Sequence, residues 1–231
     1  MSLLGSNAIY YGDCHSMAIT IHVSRPNAIE IVQGAMEKNR DSRAKALDGA
    51  EQLFRIQGYA ATGLTQILEV SGAPKGSFYF HFPEGKQQLG LEVLQAYGER
   101  VQSGLRALGA KHNGDPAGFV RALCRSLAKE MEATDWKFGC AAQNLANELA
   151  PGDRQFTDVL AQIFSGWISV ATDAIRSAYP SRPVAERRAT ALVAALEGAR
   201  TLARATRSDV PFDAVLDMMM PELRASKNNR D

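Results

Sequence analysis

The chain has 231 residues, 45% of them hydrophobic, and a formal net charge of +1 at pH 7. Such a composition is typical of a globular protein and excludes wholesale disorder. The balanced charge excludes a uniformly basic nucleic-acid coat but is compatible with a local basic face. Alanine is the most abundant residue, with 35 copies, and it has the highest helix propensity, so the composition predicts an all-α protein. No apolar run approaches the length of a membrane-spanning helix, so we expect no membrane association.

Residues 1–36 differ from the rest of the chain because they show no clear helical period. We interpret them as a poorly ordered N-terminal extension, or as residues upstream of a native start near Met36. The first 20 residues have neither a cationic start nor a sustained apolar run, so we expect no secretory signal. Three scattered cysteines are typical of a reducing compartment, which predicts a cytoplasmic protein.

From residue 41 onward the apolar residues recur with a helical period. The predicted helices span about residues 41–57, 64–70, 74–82, 84–108, 117–133, 139–149, 153–179, 185–207 and 212–225. The turn-forming residues 111–116 mark the strongest domain boundary. We therefore expect a three-helix head at 37–84, a connecting helix at 85–110 and a helical body at 111–231.

Two short predicted helices, joined by Ser71-Gly72-Ala73, follow a longer one and have the plan of a helix-turn-helix. Gly72 suits the turn because glycine adopts a left-handed backbone without a Cβ clash. The second short helix, residues 74–82, exposes an unusual number of polar and aromatic groups. This pattern indicates a helix that enters the major groove of DNA.

The residue types in this helix fit DNA chemistry. Lys75 and Ser77 can bind base edges or phosphate, and Gly76 permits close approach of the backbone. Tyr79 and His81 can donate to phosphate oxygens, and Lys86 lies near the start of the next helix, whose free N–H groups also favour phosphate. The alternatives are core packing for the aromatic residues, a structural role for His81 and a solvated charge for Lys86.

The segments 58–59, 62–68, 71–82 and 86–89 together resemble the DNA-binding domain of the TetR family of bacterial transcriptional repressors. The string Lys-Gly-Ser-Phe-Tyr-x-His-Phe followed by Lys-x-x-Leu carries most of the resemblance, which covers about residues 41–101. Gly139-Cys140 and the run from Glu197 to Phe212 resemble the LmrA/YxaF-like branch. The resemblance implies an all-α homodimer that binds a double-stranded, palindromic DNA operator and a small-molecule inducer.

The resemblance also implies roles for single residues. Lys75, Gly76, Ser77, Tyr79 and Phe80 match the contact positions of the recognition helix, and His81 and Lys86 match phosphate contacts. The family often has Thr-Thr before the second helix, whereas this chain has Thr62-Gly63. Thr62 or Thr65 would therefore take the phosphate role.

For the body, the sequence suggests a ligand pocket and a dimer seam. Polar groups at helical spacing, with aromatic residues near them, suit a largely apolar cavity with a few amides. The proposed pocket residues are Trp136, Phe138, Cys140, Gln143, Asn144, Asn147 and Phe164. The alternatives are solvent-facing amides and a redox role for Cys140.

Two helices carry repeating stripes that could pair across a dimer. The candidate interface residues are Trp167, Ala174, Ala191, Ala195, Gly198 and Leu202, and either stripe could instead be internal core.

These observations predict a dimeric transcriptional repressor that releases DNA when it binds a small molecule. The alternatives are an enzyme housed in the helical body and a DNA-binding protein without a ligand. We expect no catalytic residues, because no nucleophile, base and acid stand together in sequence. We expect no cofactor and no metal, because Cys14, His15 and His22 lack a zinc spacing.

Overall fold

A computed structural model of the chain describes the backbone of residues 28–228 and the side chains of residues 42–223. Within these residues the protein has nine α-helices, one short 3-10 turn and no β-strand, which confirms the predicted all-α fold. The helices are α1 (Ala28–Gln57), α2 (Leu64–Ser71), α3 (Lys75–His81), α4 (Lys86–Lys111), α5 (Pro116–Ala133), α6 (Ala141–Leu149), α7 (Arg154–Ile175), α8 (Arg182–Thr206) and α9 (Val210–Asn228), with the 3-10 turn Arg176–Ala178 after α7.

The first helix begins earlier than the sequence predicts. The helical pattern is expected from residue 41, but the backbone of α1 is helical from Ala28. The reason is that Ala28–Val32 combines helix-compatible residues with no amphipathic period, so a test of periodicity misses it. Residues 1–27 of the predicted extension lie outside the described residues. The chain divides into two compact units, Met1–Glu37 and Lys38–Asp231, and the second contains both the head and the body.

The head is held together by a small aromatic and aliphatic core. Phe54 of α1, Ile67 of α2 and Phe78 of α3 are all buried, and the Phe82 ring lies 5.1 Å from that of Phe78. Gly72 ends α2 in the left-handed conformation, at φ 63°. The predicted turn between the two short helices is therefore present, and it sets α3 at an angle to α2.

The body is built around α7. This helix packs against α4 on one side and α8 on another, while α9 packs against α8 and α5. The carboxylate of Asp153 caps its first turn by accepting hydrogen bonds from the backbone N–H groups of Gln155 and Phe156 at 3.0 and 3.2 Å. No helix among residues 28–228 combines the length and the apolar character that crossing a membrane requires.

The contact between α4 and α7 is close enough to require glycine. A Cβ at Gly98 would lie 2.6 Å from Cγ1 of Ile163, and the indole Nε1 of Trp167 donates a hydrogen bond to the Gly98 carbonyl at 3.1 Å. By contrast, Gly104 on the same helix is exposed, with no atom within 4 Å of where its Cβ would stand.

We expect Gly98→Ala to lower the free energy of unfolding by about 1–3 kcal/mol, because the added methyl overpacks the helix contact. Gly104→Ala is the matched control and should raise the free energy of unfolding by up to about 1 kcal/mol, since alanine is the better helix former. Urea denaturation followed by circular dichroism measures both. Equal stability of the two variants would contradict a close α4–α7 contact.

Candidate DNA interface and ligand cavity

One face of α3 is exposed and carries large side chains. Phe78 anchors the helix in the core, whereas Tyr79 and Phe80 are 47% and 72% exposed. Lys75 and Gly76 are also exposed, as is Thr65 on α2. We call Thr65, Lys75, Gly76, Tyr79 and Phe80 the head surface. Large apolar groups left in solvent beside a cation are a feature of a binding surface rather than of a core.

Three other predicted DNA contacts are buried or half-buried. Thr62 is fully buried, and its hydroxyl donates a hydrogen bond to the Gly58 carbonyl at 2.6 Å, so its assignment to phosphate was wrong. Ser77 is half-buried. His81 is half-buried as well, and its Nε2 is buried with no hydrogen-bond partner among the described residues. Of the two threonines that the sequence offered, only Thr65 reaches solvent.

Lys86 binds within the protein. Its Nζ donates a hydrogen bond to the Tyr59 carbonyl at 2.6 Å and lies 4.1 Å from the centre of the Tyr59 ring. Burial lowers the pKa of Lys86, against the opposing effect of the Glu148 carboxylate. The ammonium group therefore ties the start of α4 to the loop that follows α1. The sequence predicted a phosphate contact for this lysine and did not identify Tyr59 as its partner within the protein.

The loop after α1 is held by a carboxylate of the body. Glu148 of α6 accepts hydrogen bonds from the backbone N–H groups of Tyr59 and Ala60 at 3.0 and 2.5 Å. Gly58 ends α1 at φ 81°, and a Cβ there would lie 1.8 Å from Oε1 of Glu148. Glycine is thus required at residue 58 both by its backbone conformation and by the space that Glu148 takes.

The last carbonyls of α1 are also bound by body residues. Asn144 Nδ2 donates hydrogen bonds to the carbonyls of Phe54 and Arg55 at 2.9 and 3.2 Å, and the Gly139 N–H donates to the Arg55 carbonyl at 2.9 Å. Arg204 of α8 donates to the Ile56 carbonyl. A helix leaves its final carbonyls without intrahelical partners, and here the body supplies those partners.

An ionic cluster of two buried arginines and one half-buried glutamate lies next to this junction. Arg55 of α1 and Arg200 of α8 both bind the carboxylate of Glu130 on α5, at 2.7 and 3.2 Å. Burial alone would raise the pKa of Glu130, but Arg200 and Arg55 overcome that effect and lower it. The ring of Phe138 covers the Arg55 guanidinium, with 4.7 Å between ring centre and Cζ. One carboxylate thus links α1, α5 and α8.

Next to this cluster the body contains a cavity with mostly apolar walls. Its volume is about 480 Å³ when its open mouth is counted. Only about four water molecules would fit inside it. Its lining comprises Tyr97, Val101, Leu105, Leu123, Leu127, Cys140, Trp167, Ala171, Leu192, Val193, Leu196, Glu197 and Arg200.

Only one residue of the predicted pocket, Cys140, lines this cavity. Gln143 Nε2 donates to the Glu197 carbonyl at 3.2 Å, Asn144 binds α1, and Asn147 is exposed. Trp136, Phe138 and Phe164 lie outside the lining as well: the Trp136 N–H bonds to Met131 at the end of α5, Phe138 covers Arg55, and Phe164 packs edge-on against the cavity residue Trp167. These six residues lie outside this cavity because helical spacing shows which residues share a face but not which helix that face meets. Their assignment to a ligand pocket stays a prediction.

The chemistry of Cys140 does not suit redox sensing. Burial, reinforced by the nearby Glu197, raises the pKa of its thiol to about 12. The thiol therefore stays protonated at neutral pH, while the thiolate is the reactive form. Among residues 42–223 no group of three His, Cys, Asp or Glu side chains is placed to hold a metal.

The predicted dimer residues fall on two different kinds of surface. Trp167 is 4% exposed and lines the cavity, so it belongs to the interior of one subunit. Ala174 is half-buried, and its Cβ lies 3.6 Å from the Cβ position of Gly109 on α4. On α8, Ala191, Gly198 and Leu202 are exposed, and Leu202 is 58% exposed. Ala195 is half-buried on the same helix.

Sequence reasoning missed an apolar surface on α9. Val210 and Met218 are exposed there, eight residues apart on one face. Their spacing matches the helical period, and the predicted helix began at residue 212, which left Val210 out. We call Ala191, Gly198, Leu202, Val210 and Met218 the α8–α9 surface.

Comparison with known proteins agrees with this fold. Residues 46–93 match the model described as bacterial regulatory proteins, tetR family, and residues 116–218 match the model described as transcriptional regulator LmrA/YxaF-like, C-terminal domain. The HTH-type transcriptional regulator LmrA of Bacillus subtilis is 33% identical over 172 residues, which cover 74% of this chain and 91% of that protein. The uncharacterized regulator YxaF of the same organism is 36% identical over 135 residues, or 58% and 70% of the two chains.

Solved structures show the same architecture. The regulatory protein TetR from Rhodobacter sphaeroides has a TM-score of 0.71 at 21% identity, covering 79% of this chain and 97% of that one. A TetR-family regulator from Agrobacterium tumefaciens has a TM-score of 0.68 at 21% identity, covering 81% and 98%. A helix-turn-helix head on a helical body defines a DNA-binding transcriptional regulator. The chain belongs to the TetR family of bacterial transcriptional regulators, whose members bind DNA operators as dimers and are not enzymes.

We expect Glu130→Gln to lower the free energy of unfolding at pH 7 by about 1–3 kcal/mol, because it leaves two buried guanidinium groups without their carboxylate. This loss of stability is smaller than that expected for a fully buried ion pair, because the Glu130 side chain is 37% exposed. A carboxyl whose pKa is lowered on folding stabilises the protein above its unfolded pKa, at about 4.3, and loses that effect as pH falls through the folded pKa. The difference between wild type and variant should therefore be largest at neutral pH and shrink in acid.

Urea denaturation at a series of pH values measures this dependence. Glu132→Gln, at an exposed neighbour on the same helix, is the matched control and should change stability little at any pH. A Glu130→Gln variant as stable as wild type at pH 7 would contradict a structural role for the cluster.

Proposed function

We propose that the protein is a transcriptional repressor that binds a palindromic operator as a homodimer and releases it when a small molecule enters the body cavity. The observation that carries this proposal is the exposure of Tyr79 and Phe80 beside Lys75 on a helix anchored from behind by Phe78. The site of action is the bacterial cytoplasm, where the chromosome lies. A ligand-independent DNA-binding protein is less well supported, because the body contains a cavity with polar groups at one end.

The head surface suits a major groove. A groove of B-DNA admits one helix, and the first residues of that helix reach the base edges. In α3 those residues are Lys75 and Gly76, which are exposed, and Ser77, which is half-buried. Lys75 can donate to guanine or phosphate, and the Tyr79 hydroxyl can donate to a phosphate. Arg43, a further basic residue of the head, pairs with Glu92, so Lys75 is expected to carry much of the attraction to DNA.

The α8–α9 surface suits a homodimer. Small side chains along Ala191 and Gly198 allow a partner helix to approach closely, and nothing of the same chain lies within 4 Å of the Cβ position of Gly198. Leu202 and Met218 add larger apolar groups that would be costly to leave exposed. Pairing of two such surfaces would set two heads side by side, with half-sites about 34–36 Å apart or a multiple of that distance.

The junction after α1 offers a route from cavity to head. Arg200 lines the cavity and also binds Glu130, which in turn binds Arg55 of α1. One turn further along α8, Arg204 binds the Ile56 carbonyl. A ligand that moves α8 therefore acts on the end of α1, and α1 carries the other two head helices through Phe54 and its neighbours.

We expect Tyr79→Ala to weaken operator binding by about 1–3 kcal/mol without changing stability, because the side chain contributes to the exposed surface and not to the core. Lys75→Ala should weaken binding and reduce the slope of log affinity against log salt by about 1. Lys111→Ala removes an exposed lysine at the far end of α4 and is the matched control. Fluorescence anisotropy with DNA from the intergenic region next to the gene, after footprinting of that region, measures these changes.

Unchanged affinity and salt dependence in both head variants would contradict the DNA-binding assignment of α3. A flat salt response of the wild type would contradict phosphate contacts altogether.

We expect Leu202→Glu to raise the dissociation constant of the dimer at least about 100-fold, because it buries an unpaired charge in an apolar interface. Ala161→Glu, at an exposed position of α7, is the control and should leave the dimer intact. Sedimentation velocity at several concentrations measures both. If Ala161→Glu dissociates the dimer and Leu202→Glu does not, the interface lies on α7.

A further inference from the structure

The polar end of the body cavity is built from buried side chains. Arg200 is 6% exposed and is one of the residues that line the cavity. Its Nη2 binds Glu130 at 3.2 Å, whereas its Nη1 is buried and has no hydrogen-bond partner among the described residues. A buried donor without a partner costs free energy, so this atom marks a place where a ligand would be favoured.

A second polar residue, Glu197, lines the same space. The Oε2 of Glu197, one turn before Arg200 on α8, is also buried without a partner in the described part of the chain. Burial raises the pKa of Glu197, which favours the neutral carboxylic acid. In that form Glu197 can donate one hydrogen bond as well as accept one. A ligand oxygen at this end of the cavity would therefore meet Nη1 of Arg200 as a donor, with the Glu197 carboxyl group beside it.

The charges around the cavity leave a positive excess. Arg55 and Arg200 share one carboxylate, Glu130, whose pKa is lowered by both. Burial raises the pKa of the Tyr97 hydroxyl and of the Cys140 thiol, so both groups are neutral. Burial also favours the neutral form of Glu197, although Arg200 opposes this shift, and an unpaired charge in the interior is expensive.

The remaining walls are apolar and close together. Leu123, Trp167, Leu192 and Leu196 line the space opposite the polar end. Because only about four water molecules would fit, the space suits one ring or a short branched chain rather than an extended molecule. Such walls bind an apolar body, and the polar end fixes its orientation.

We propose that the cavity binds a compact, mostly apolar monocarboxylate, with the carboxylate on Nη1 of Arg200 and beside the Glu197 carboxyl group. The pairing would complete the hydrogen bonds of both groups and balance the second arginine of the cluster. It would also compete with Glu130 for Arg200, which connects the ligand to the end of α1. This inference rests on the proposed ligand control for its biological role, but the binding itself is tested without DNA.

The test compares matched probes on the full-length protein. Benzoate and phenylacetate are measured against benzamide and phenylacetamide by isothermal titration calorimetry. Each carboxylate is expected to bind at least about tenfold more tightly than its amide, since charge-assisted hydrogen bonds to a buried guanidinium are the stronger ones. If neither carboxylate binds more tightly than its amide, the proposal is wrong.

Variants locate the binding. Arg200→Gln should remove the preference for carboxylate, whereas Arg187→Gln, an exposed arginine on the same helix, should keep it. Since the loss of Arg200 could impair folding, Val193→Phe provides a second test: it fills the cavity from a half-buried wall position and should abolish benzoate binding. Unchanged benzoate binding in Val193→Phe, or a carboxylate preference kept by a folded Arg200→Gln protein, would overturn the proposal.

The two proposals fail in different ways. If benzoate binds through Arg200 but leaves operator affinity unchanged at saturation, the ligand class stands and its control of DNA binding is wrong. If benzoate does not bind through Arg200 while another small molecule releases DNA, the ligand class is wrong and the proposed function stands.

Discussion

The carboxylate of Glu130 is the point on which the junction of head and body depends. It binds two guanidinium groups that are themselves almost fully buried, Arg55 from α1 and Arg200 from α8. Removal of this carboxylate would destabilise the folded protein, because each arginine would then carry an unpaired charge in the interior. Three helices that are far apart in sequence are therefore fixed to one another by a single side chain.

Hydrogen bonds around this cluster fix the end of α1 still further. The carbonyls of Phe54, Arg55 and Ile56 are bound by groups of the body, and Glu148 binds the two N–H groups that follow Gly58. Because a helix terminus has no intrahelical partners of its own, whatever supplies those partners sets the direction of the helix. Helix α3, which we propose enters the DNA groove, is thus oriented by residues that sequence patterns do not associate with DNA.

The same arrangement places one arginine at both the cavity and the head junction. Arg200 is among the residues that line the cavity, and its Nη2 supports the ionic cluster. In a linked system, a ligand changes an equilibrium only as far as it binds one state better than another. Because Arg200 belongs to both the cavity and the head junction, a ligand that contacts it could bind one arrangement of the junction better than another.

Much of the fold follows from the sequence alone. Helical periodicity located eight helices to within a few residues, and Gly72 and Asp153 set a turn and a cap by local chemistry that depends on few neighbours. The exposed aromatic residues of α3 were also found, because the helix has more large side chains than its short apolar face can bury. The start of α1 was missed, since its first turns have no amphipathic pattern.

The sequence by itself determined which segments are helical, which helix exposes aromatic groups and which family the chain resembles. Only the tertiary structure decided what each helix face meets. It shows that Thr62 is buried, that Asn144 binds the end of α1 and that Trp167 lines a cavity. It also shows that Nη1 of Arg200 has no hydrogen-bond partner among the described residues. The physical reason is that periodicity is a property of one helix, whereas burial and pairing arise between helices distant in sequence, such as those that carry Arg55, Glu130 and Arg200.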